Sequence, residues 1–146
     1  MNQPIPFWET TPLDAMTPEQ WESLCDGCAK CCLEKFEDED TGKIVYSRVA
    51  CVLLDLGTCR CGDYANRAKR VHDCVTLVPE VLRQPAWLPE TCAYRRLAEG
   101  RALPHWHPLI TGTPDSVAAA GHSVYGRIIA PARAGDPLWH LIDWIE

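Results

Sequence analysis

The stretch Cys25-Asp-Gly-Cys28-Ala-Lys-Cys31-Cys32 places four thiols within eight residues, in the spacing C-x2-C-x2-C-C. The cysteines that follow it are Cys51, Cys59, Cys61, Cys74 and Cys92. A cysteine thiolate is a soft ligand that selects zinc, copper(I) or an iron–sulfur cluster. The sequence therefore predicts a fold organised around a centre that sulfur holds.

The number of cysteines bears on the kind of centre. A mononuclear zinc site needs only four thiolates in a tetrahedron, and this chain has nine cysteines. They could serve two centres, one polynuclear cluster with thiols to spare, or one site beside structural cysteines. A C-x2-C-x2-C triplet favours iron–sulfur, because one loop then reaches three corners of a cluster. Zinc knuckles more often have two separated C-x2-C pairs, so zinc, including a shared-thiolate zinc cluster, is the alternative.

The first candidates for cofactor binding are the four cysteines of residues 25–32, and later cysteines could complete the site. The predicted metal ligands are Cys25, Cys28, Cys31, Cys32, Cys51, Cys59, Cys61, Cys74 and Cys92. Cys74 or Cys92 alone is as consistent with core packing as with ligation, since free cysteine is a common small core residue. A Cys25–Cys28 redox pair lacks the expected βαβ context, and nothing pairs one thiol with a catalytic base. The sequence therefore leaves enzymatic activity open.

Other polar residues are candidates for supporting roles. Four of them lie among the later cysteines: Asp55, Tyr64, Arg67 and Asp73. They could orient ligands or tune a cluster, and ordinary solvent or ion-pair roles fit them equally well. His105 and His107 could offer two imidazoles from one loop. With so many thiols available, surface or hydrogen-bonded histidine is the favoured interpretation.

Length and charge exclude several classes of protein. At 146 residues the chain is long enough for one domain with a modest core. Its formal charge of −6, from 14 basic and 20 acidic residues, argues against a nucleic-acid-binding surface. The N-terminus has no secretory-signal pattern, and no stretch is long and apolar enough for a membrane span. We therefore expect a cytoplasmic protein with reduced thiols and without a membrane or nucleic-acid partner.

The pattern along the chain predicts a small α+β domain over residues 1–146. We expect an extended, docked N-terminal arm at 1–16, a cysteine-rich core at 17–92 and a cysteine-free part at 93–146. Thr17, Pro18 and Gln20 predict a capped helix that runs to about Cys25. Residues 34–50 predict a β-hairpin with an acidic, exposed tip. Helices and this hairpin, with much irregular structure, would surround the cysteine-bound metal centre.

The remaining segments carry weaker signals. Residues 52–56 predict a short buried strand or turn, and residues 64–72, 79–82 and 89–100 predict helices. In the cysteine-free part we expect a capped helix over 113–121, a strand over 123–130 and a C-terminal helix over 138–145.

The motif resembles that of the bacterial YcgN-type cysteine-cluster proteins, within the broader C-x2-C-x2-C-C group of zinc- or iron-chelating proteins. The resemblance covers most of the chain. Beyond the motif it rests on Asp38-Glu-Asp-Thr-Gly42, Val49-Ala-Cys51, Leu53-Leu-Asp55, Gly57-Thr-Cys59-Arg-Cys61, Tyr64, Arg67, Asp73-Cys74, Leu88-Pro89, Cys92-Ala-Tyr94-Arg95 and Gly121. The broader group is similar in its cysteine motif to flagellin lysine methylases, in which an iron–sulfur cluster is implicated. That similarity reaches the cysteines only.

Three hypotheses of function follow from these observations. The first is an iron–sulfur protein in redox or cluster-dependent chemistry. The second is a zinc-stabilised interaction module, with the acidic hairpin and the tryptophan-rich C-terminal part as surfaces for a protein partner. The third is a thiol-based metal carrier. In each, the bound partner at the cysteines is a metal ion or a metal cluster.

Overall fold

The chain is built from short helices and a small antiparallel sheet in the computed structural model, which describes residues 5–71, 78–83 and 85–145. The helices are α1 (Phe7–Thr10), α2 (Pro18–Ser23), α3 (Arg67–Arg70), α4 (Ala93–Ala98), α5 (Pro108–Thr111), α6 (Asp115–Ala119) and α7 (Pro131–Ala134). The strands are β1 (Leu33–Glu37), β2 (Ile44–Ala50), β3 (Leu54–Asp55), β4 (Arg60–Cys61) and β5 (Leu141–Ile142). Turns of 3₁₀ helix lie at Leu13–Ala15, Lys30–Cys32, Tyr64–Asn66, Pro79–Arg83, Pro85–Trp87 and Pro137–His140. The α+β class and the irregular backbone are confirmed.

The main sheet has the strand order β1-β2-β5, and both pairings are antiparallel. The β1–β2 pair is the predicted hairpin, with Phe36 opposite Val45. At its tip the Asp38 carboxylate accepts hydrogen bonds from the backbone amides of Asp40 and Thr41, at 2.8 and 3.1 Å. A carboxylate that closes its own turn in this way explains the acidic tip without a bound cation.

Helix α2 starts at the predicted capping box. The Gln20 amide donates to the Thr17 hydroxyl at 3.2 Å, and the Thr17 amide donates to the Gln20 side chain at 3.0 Å. Pro18 occupies the first helical position, where its missing N–H costs nothing. The helix ends at Ser23, so the cysteine motif lies beyond it in a loop.

Two hydrophobic clusters lie on either side of that loop. The sheet-side cluster contains Ala29, Leu33, Tyr46, Ala50, Leu54, Cys59, Val124 and Ile145. The helix-side cluster contains Leu24, Leu82, Leu88, Ala93, Tyr94 and Leu103, with Phe7, Trp8, Leu13 and Met16 of the N-terminal arm packed against it. Residues 25–32, here named the motif loop, therefore connect the two clusters. The arm docks as predicted, although it forms helical turns and not an extended segment.

Two predictions in the cysteine-free part are wrong. Residues 123–130 do not form a strand, because Gly126 has a φ of +76° and only Ile129 makes a bridge, parallel to Val49. The C-terminal apolar segment is not a helix. Its 3₁₀ turn ends at His140, and Leu141–Ile142 then pairs with the edge of β2. Pairing with an available sheet edge outweighs the local helical pattern.

Several helices are shorter than predicted. The helix expected over 64–72 is a 3₁₀ turn followed by α3, and the one expected from Pro89 begins at Ala93. Helices α5 and α7 were not predicted, although each has a proline at its first position. Among the described residues, no helix has the length and apolar character that crossing a bilayer requires.

Candidate metal centre

The motif loop turns sharply twice between its cysteines. Gly27 and Ala29 have φ values of +76° and +64°, in the left-handed region that lets a chain reverse direction. The Asp26 carboxylate accepts a hydrogen bond from the Cys28 amide at 3.0 Å, which closes the first turn. After Ala29 the loop continues as the 3₁₀ turn of Lys30–Cys32. The loop therefore folds back on itself between Cys25 and Cys32.

Cys92, from a distant part of the chain, interacts electrostatically with cysteines of this loop. We name Cys25, Cys28, Cys31, Cys32 and Cys92 the inner thiols. Burial raises the pKa of the Cys25, Cys28 and Cys92 thiols. Charge repulsion from Cys31 raises all three pKa values further. Cys92 precedes α4 and belongs to this group, although it is far from the motif in the sequence.

Every inner thiol with a perturbed pKa is shifted toward its protonated form. The pKa rises to about 11 for Cys25 and to about 12 for Cys92. For Cys31, hydrogen bonding to the Cys32 thiol is the largest cause of a strongly raised pKa, followed by burial. Cys25 and Cys31 are exposed as whole residues, whereas their sulfur atoms are crowded by protein. This crowding raises their pKa values, because the immediate environment of a sulfur atom sets its charge.

Metal binding at the inner thiols should release protons, about one per ligating sulfur at pH 7. The reason is that raised pKa values keep these thiols protonated in the free protein, while a metal binds thiolates. Apparent affinity should therefore rise with pH up to the thiol pKa and fall on acidification. Calorimetric titration with Zn²⁺ in buffers of different ionisation enthalpy counts the protons. Binding with the same affinity at pH 6 and pH 8 would contradict the prediction.

Two buried tyrosines lie beside the inner thiols. Tyr46 donates its hydroxyl hydrogen bond to the carbonyl of Trp87 at 3.2 Å, and Tyr94 donates to the carbonyl of Trp21 at 2.6 Å. Burial raises the pKa of both phenols, and Cys31 and Cys25 add to the shift at Tyr46 and Tyr94, respectively. Both hydroxyls thus donate to backbone carbonyls, and the two rings provide apolar surroundings for the thiols.

The other described cysteines lie outside this group. Cys59 is buried in the sheet-side cluster with a φ of +56°, and its thiol is hydrogen-bonded to Ser123. Cys61 pairs with Leu54 across the β3–β4 hairpin. The backbone amide of Cys51 donates to the carbonyl of Cys32 at 2.7 Å, so this cysteine adjoins the end of the motif loop. Cys74 lies outside the described residues.

Of the supporting residues predicted from the sequence, some border the inner thiols and one lies in a turn away from them. Tyr64 donates to the Glu22 carboxylate at 3.0 Å, and the Arg67 guanidinium lies 3.7 Å from the centre of its ring. Cys25 contributes to the raised pKa of Tyr64, after burial and Glu22, so this pair borders the inner thiols. Asp55 instead accepts hydrogen bonds from the amides of residues 57 and 58 and closes a turn. Asp73 lies outside the described residues.

His107 is a structural residue and not an available ligand. It is fully buried, and its Nδ1 accepts a hydrogen bond from the Leu109 amide at 3.0 Å. Its Nε2 therefore carries the proton and donates to the carbonyl of Leu24 at 2.8 Å. This contact anchors the chain immediately before Cys25. The predicted hydrogen-bonded role is confirmed for this histidine.

Lys30 is a residue of the motif whose burial was not foreseen. It is 2% exposed, and its ammonium donates to the Thr91 hydroxyl at 2.8 Å and to His122 Nδ1 at 3.0 Å. Burial lowers the pKa of Lys30, and the nearby Cys28 opposes that shift. The only sequence signal for this role is the position of a lysine inside the motif.

Across the described parts of the chain, no three cysteine, histidine, aspartate or glutamate side chains lie close enough together to hold one metal ion. The inner thiols are thus neighbours that affect one another's pKa without forming a closed ligand shell.

Comparisons with known proteins agree with the thiol chemistry. The profile of the CxxCxxCC family, described as a "Putative zinc- or iron-chelating domain", matches residues 24–93. A UPF0260 protein of Gluconobacter oxydans is 57% identical over 95% of this chain and 85% of its own length. One from Gluconacetobacter diazotrophicus is 53% identical over 99% of this chain and 90% of its own length. No solved structure matches.

Proposed function

Because this chain belongs to the UPF0260 family and its residues 24–93 match a zinc- or iron-chelating domain, we propose that its inner thiols hold an iron–sulfur centre. The observation that carries the proposal is the grouping of the motif thiols with Cys92. When bound, such a centre supplies electron transfer or a reactive iron position.

The donor set fits a cluster in its chemistry. All of the inner donors are sulfur, which iron–sulfur clusters and zinc both accept, and five thiols exceed the four of a mononuclear site. Loading would have to draw the sulfurs together, since they do not form a closed shell by themselves. Cys25 and Cys31 are exposed as whole residues, and rotation about the Cα–Cβ bond is the movement that would bring their sulfurs to an incoming metal.

The role of the chain's own residues follows from their contacts. The inner thiols would bind the centre, while Tyr46 and Tyr94 exclude water on the buried side. His107 anchors the backbone before Cys25, and Asp26 fixes the turn before Cys28. The centre would lie between the two hydrophobic clusters, so binding it would couple them.

The test is the metal and acid-labile sulfide content of protein purified without oxygen, together with its optical spectrum. We expect iron and sulfide in comparable amounts and a broad absorption band that oxygen bleaches. Colourless protein that contains zinc and no sulfide would refute the iron–sulfur proposal. Protein that binds neither metal through its thiols would refute metal chelation altogether.

A zinc-stabilised interaction module is the second candidate. The observation that favours it is the exposure of Leu138 and Trp139, just before strand β5, and of Leu141 in that strand, with Trp139 77% exposed. Trp106 and Trp144 do not extend this surface, since Trp106 stacks on His122 and Trp144 lies under Arg127. Zinc without sulfide, together with a partner whose binding is lost in Trp139→Ala, would support this candidate over the first.

A further inference from the structure

The ammonium of Lys30 is buried without a carboxylate partner. Its two hydrogen-bond acceptors are the neutral groups of Thr91 and His122. The ring of Trp144 lies 5.6 Å from the nitrogen. Within the described residues, none of the salt bridges involves Lys30. A buried charge without an ion-pair partner is costly, so this arrangement calls for further negative charge nearby.

The charged groups around Lys30 indicate where this negative charge comes from. Arg127 lies 4.3 Å from the centre of the same Trp144 ring and adds a second positive charge near Lys30. The groups that favour the charged lysine are Cys28, Asp26 and Cys92. Two of these three are inner thiols. Cys28 is two residues before Lys30 in the motif loop, and Cys92 directly follows Thr91, to which the ammonium donates at 2.8 Å. Asp26 is a nearby negative charge, but its carboxylate accepts the Cys28 amide hydrogen bond and makes no ion pair with Lys30.

We propose that Lys30 is a positioning residue whose ammonium compensates the negative charge of the metal–thiolate centre. The inference rests on the proposed metal binding by the inner thiols and holds for zinc as well as for iron–sulfur. A centre ligated only by thiolates is negative overall, because the thiolates outnumber the charge of a divalent ion. A buried cation next to it favours the thiolate form, and the loaded centre in turn supplies the counter-charge that Lys30 lacks.

Thr91 and His122 place the ammonium in this position. Thr91 directly precedes Cys92, and His122 is held by a parallel stack on Trp106, with ring centroids 3.8 Å apart. His122 must present the lone pair of Nδ1 to Lys30, so its proton is on Nε2. Through His122, the cysteine-free part of the chain thus helps to position Lys30.

Three substitutions separate charge from hydrogen bonding and from packing. Lys30→Arg keeps the charge, Lys30→Gln keeps a hydrogen-bond donor, and Lys30→Met keeps the shape of the aliphatic chain. The matched control is Lys43→Met, at an exposed lysine of the hairpin. Zn²⁺ affinity is measured with a competing chromogenic chelator, and Co²⁺ absorption reports the number of thiolates bound at saturation.

We expect Lys30→Met and Lys30→Gln to weaken Zn²⁺ binding by about 10- to 100-fold, which is typical of groups just outside a ligand shell. Lys30→Arg should retain the most affinity of the three, and Lys43→Met should bind as the wild type does. The Co²⁺ thiolate band should keep its intensity at saturation in every variant.

The inference is overturned if a Lys30 variant other than Lys30→Arg retains the highest Zn²⁺ affinity. If Lys30→Met binds best, the residue acts through packing, and if Lys30→Gln binds best, it acts through hydrogen bonds. Equal affinity in all the variants would show that the charge is irrelevant. A wild-type protein that shows no thiolate band with Co²⁺ would instead refute the proposed metal binding, and the inference with it.

Discussion

Removal of the bound metal with a chelator should unfold this protein. The motif loop joins the two hydrophobic clusters. The longest helices within residues 5–71, 78–83 and 85–145, α2 and α4, have only six residues each. Helices this short are not stable without tertiary contacts. Metal binding to a thiolate site contributes on the order of 10 kcal/mol to folding. That is comparable to the whole unfolding free energy of an ordinary domain, about 5 to 15 kcal/mol.

The measurement is far-ultraviolet circular dichroism and urea unfolding, before and after chelation under reducing conditions. The metal content of each sample is determined in parallel. Readdition of the native metal should restore both the spectrum and the urea midpoint, which separates metal loss from thiol oxidation. A metal-free, reduced protein with an unchanged midpoint would contradict the prediction and would show that the two clusters are stable by themselves.

Substitution of Cys28 by serine should nearly abolish metal binding. Cys28 is buried, and Cys25, Cys31 and Asp26 all affect its pKa. A serine hydroxyl is a hard donor with a much higher pKa than a thiol, so it is a poor ligand for zinc or a cluster iron. We expect the affinity to fall by more than about 100-fold, beyond the effect of losing a group outside the ligand shell.

The matched control is Cys61→Ser, at a half-buried cysteine of the β3–β4 hairpin. Affinity and metal stoichiometry are measured for both variants by chelator competition. If Cys61→Ser lowers the stoichiometry while Cys28→Ser retains one metal, the chain has two centres and the inner thiols are only one of them. Unchanged affinity in Cys28→Ser would exclude this cysteine as a ligand.

Local sequence signals predicted local structure well. The capping box of Thr17 and Gln20 needs only residues that are three apart, and the hairpin of β1 and β2 needs only a turn between adjacent strands. The predictions failed where a distant segment decides the outcome. Leu141–Ile142 forms a strand because β2, almost one hundred positions earlier in the chain, offers it an edge. No periodicity within the C-terminal segment contains that information.

The grouping of four thiols in residues 25–32 is visible in the sequence, because the spacing of cysteines in one loop is a local property. Which distant groups approach that loop depends on how the chain folds. Cys92 approaches through the packing of α4, His107 anchors the carbonyl of Leu24, and Lys30 is buried against Thr91 and His122. These contacts depend on how the two hydrophobic clusters close around the loop. The pKa of a thiol and the free-energy cost of burying an ammonium depend on burial and on neighbouring charges. Both are set only once the clusters have packed around the loop.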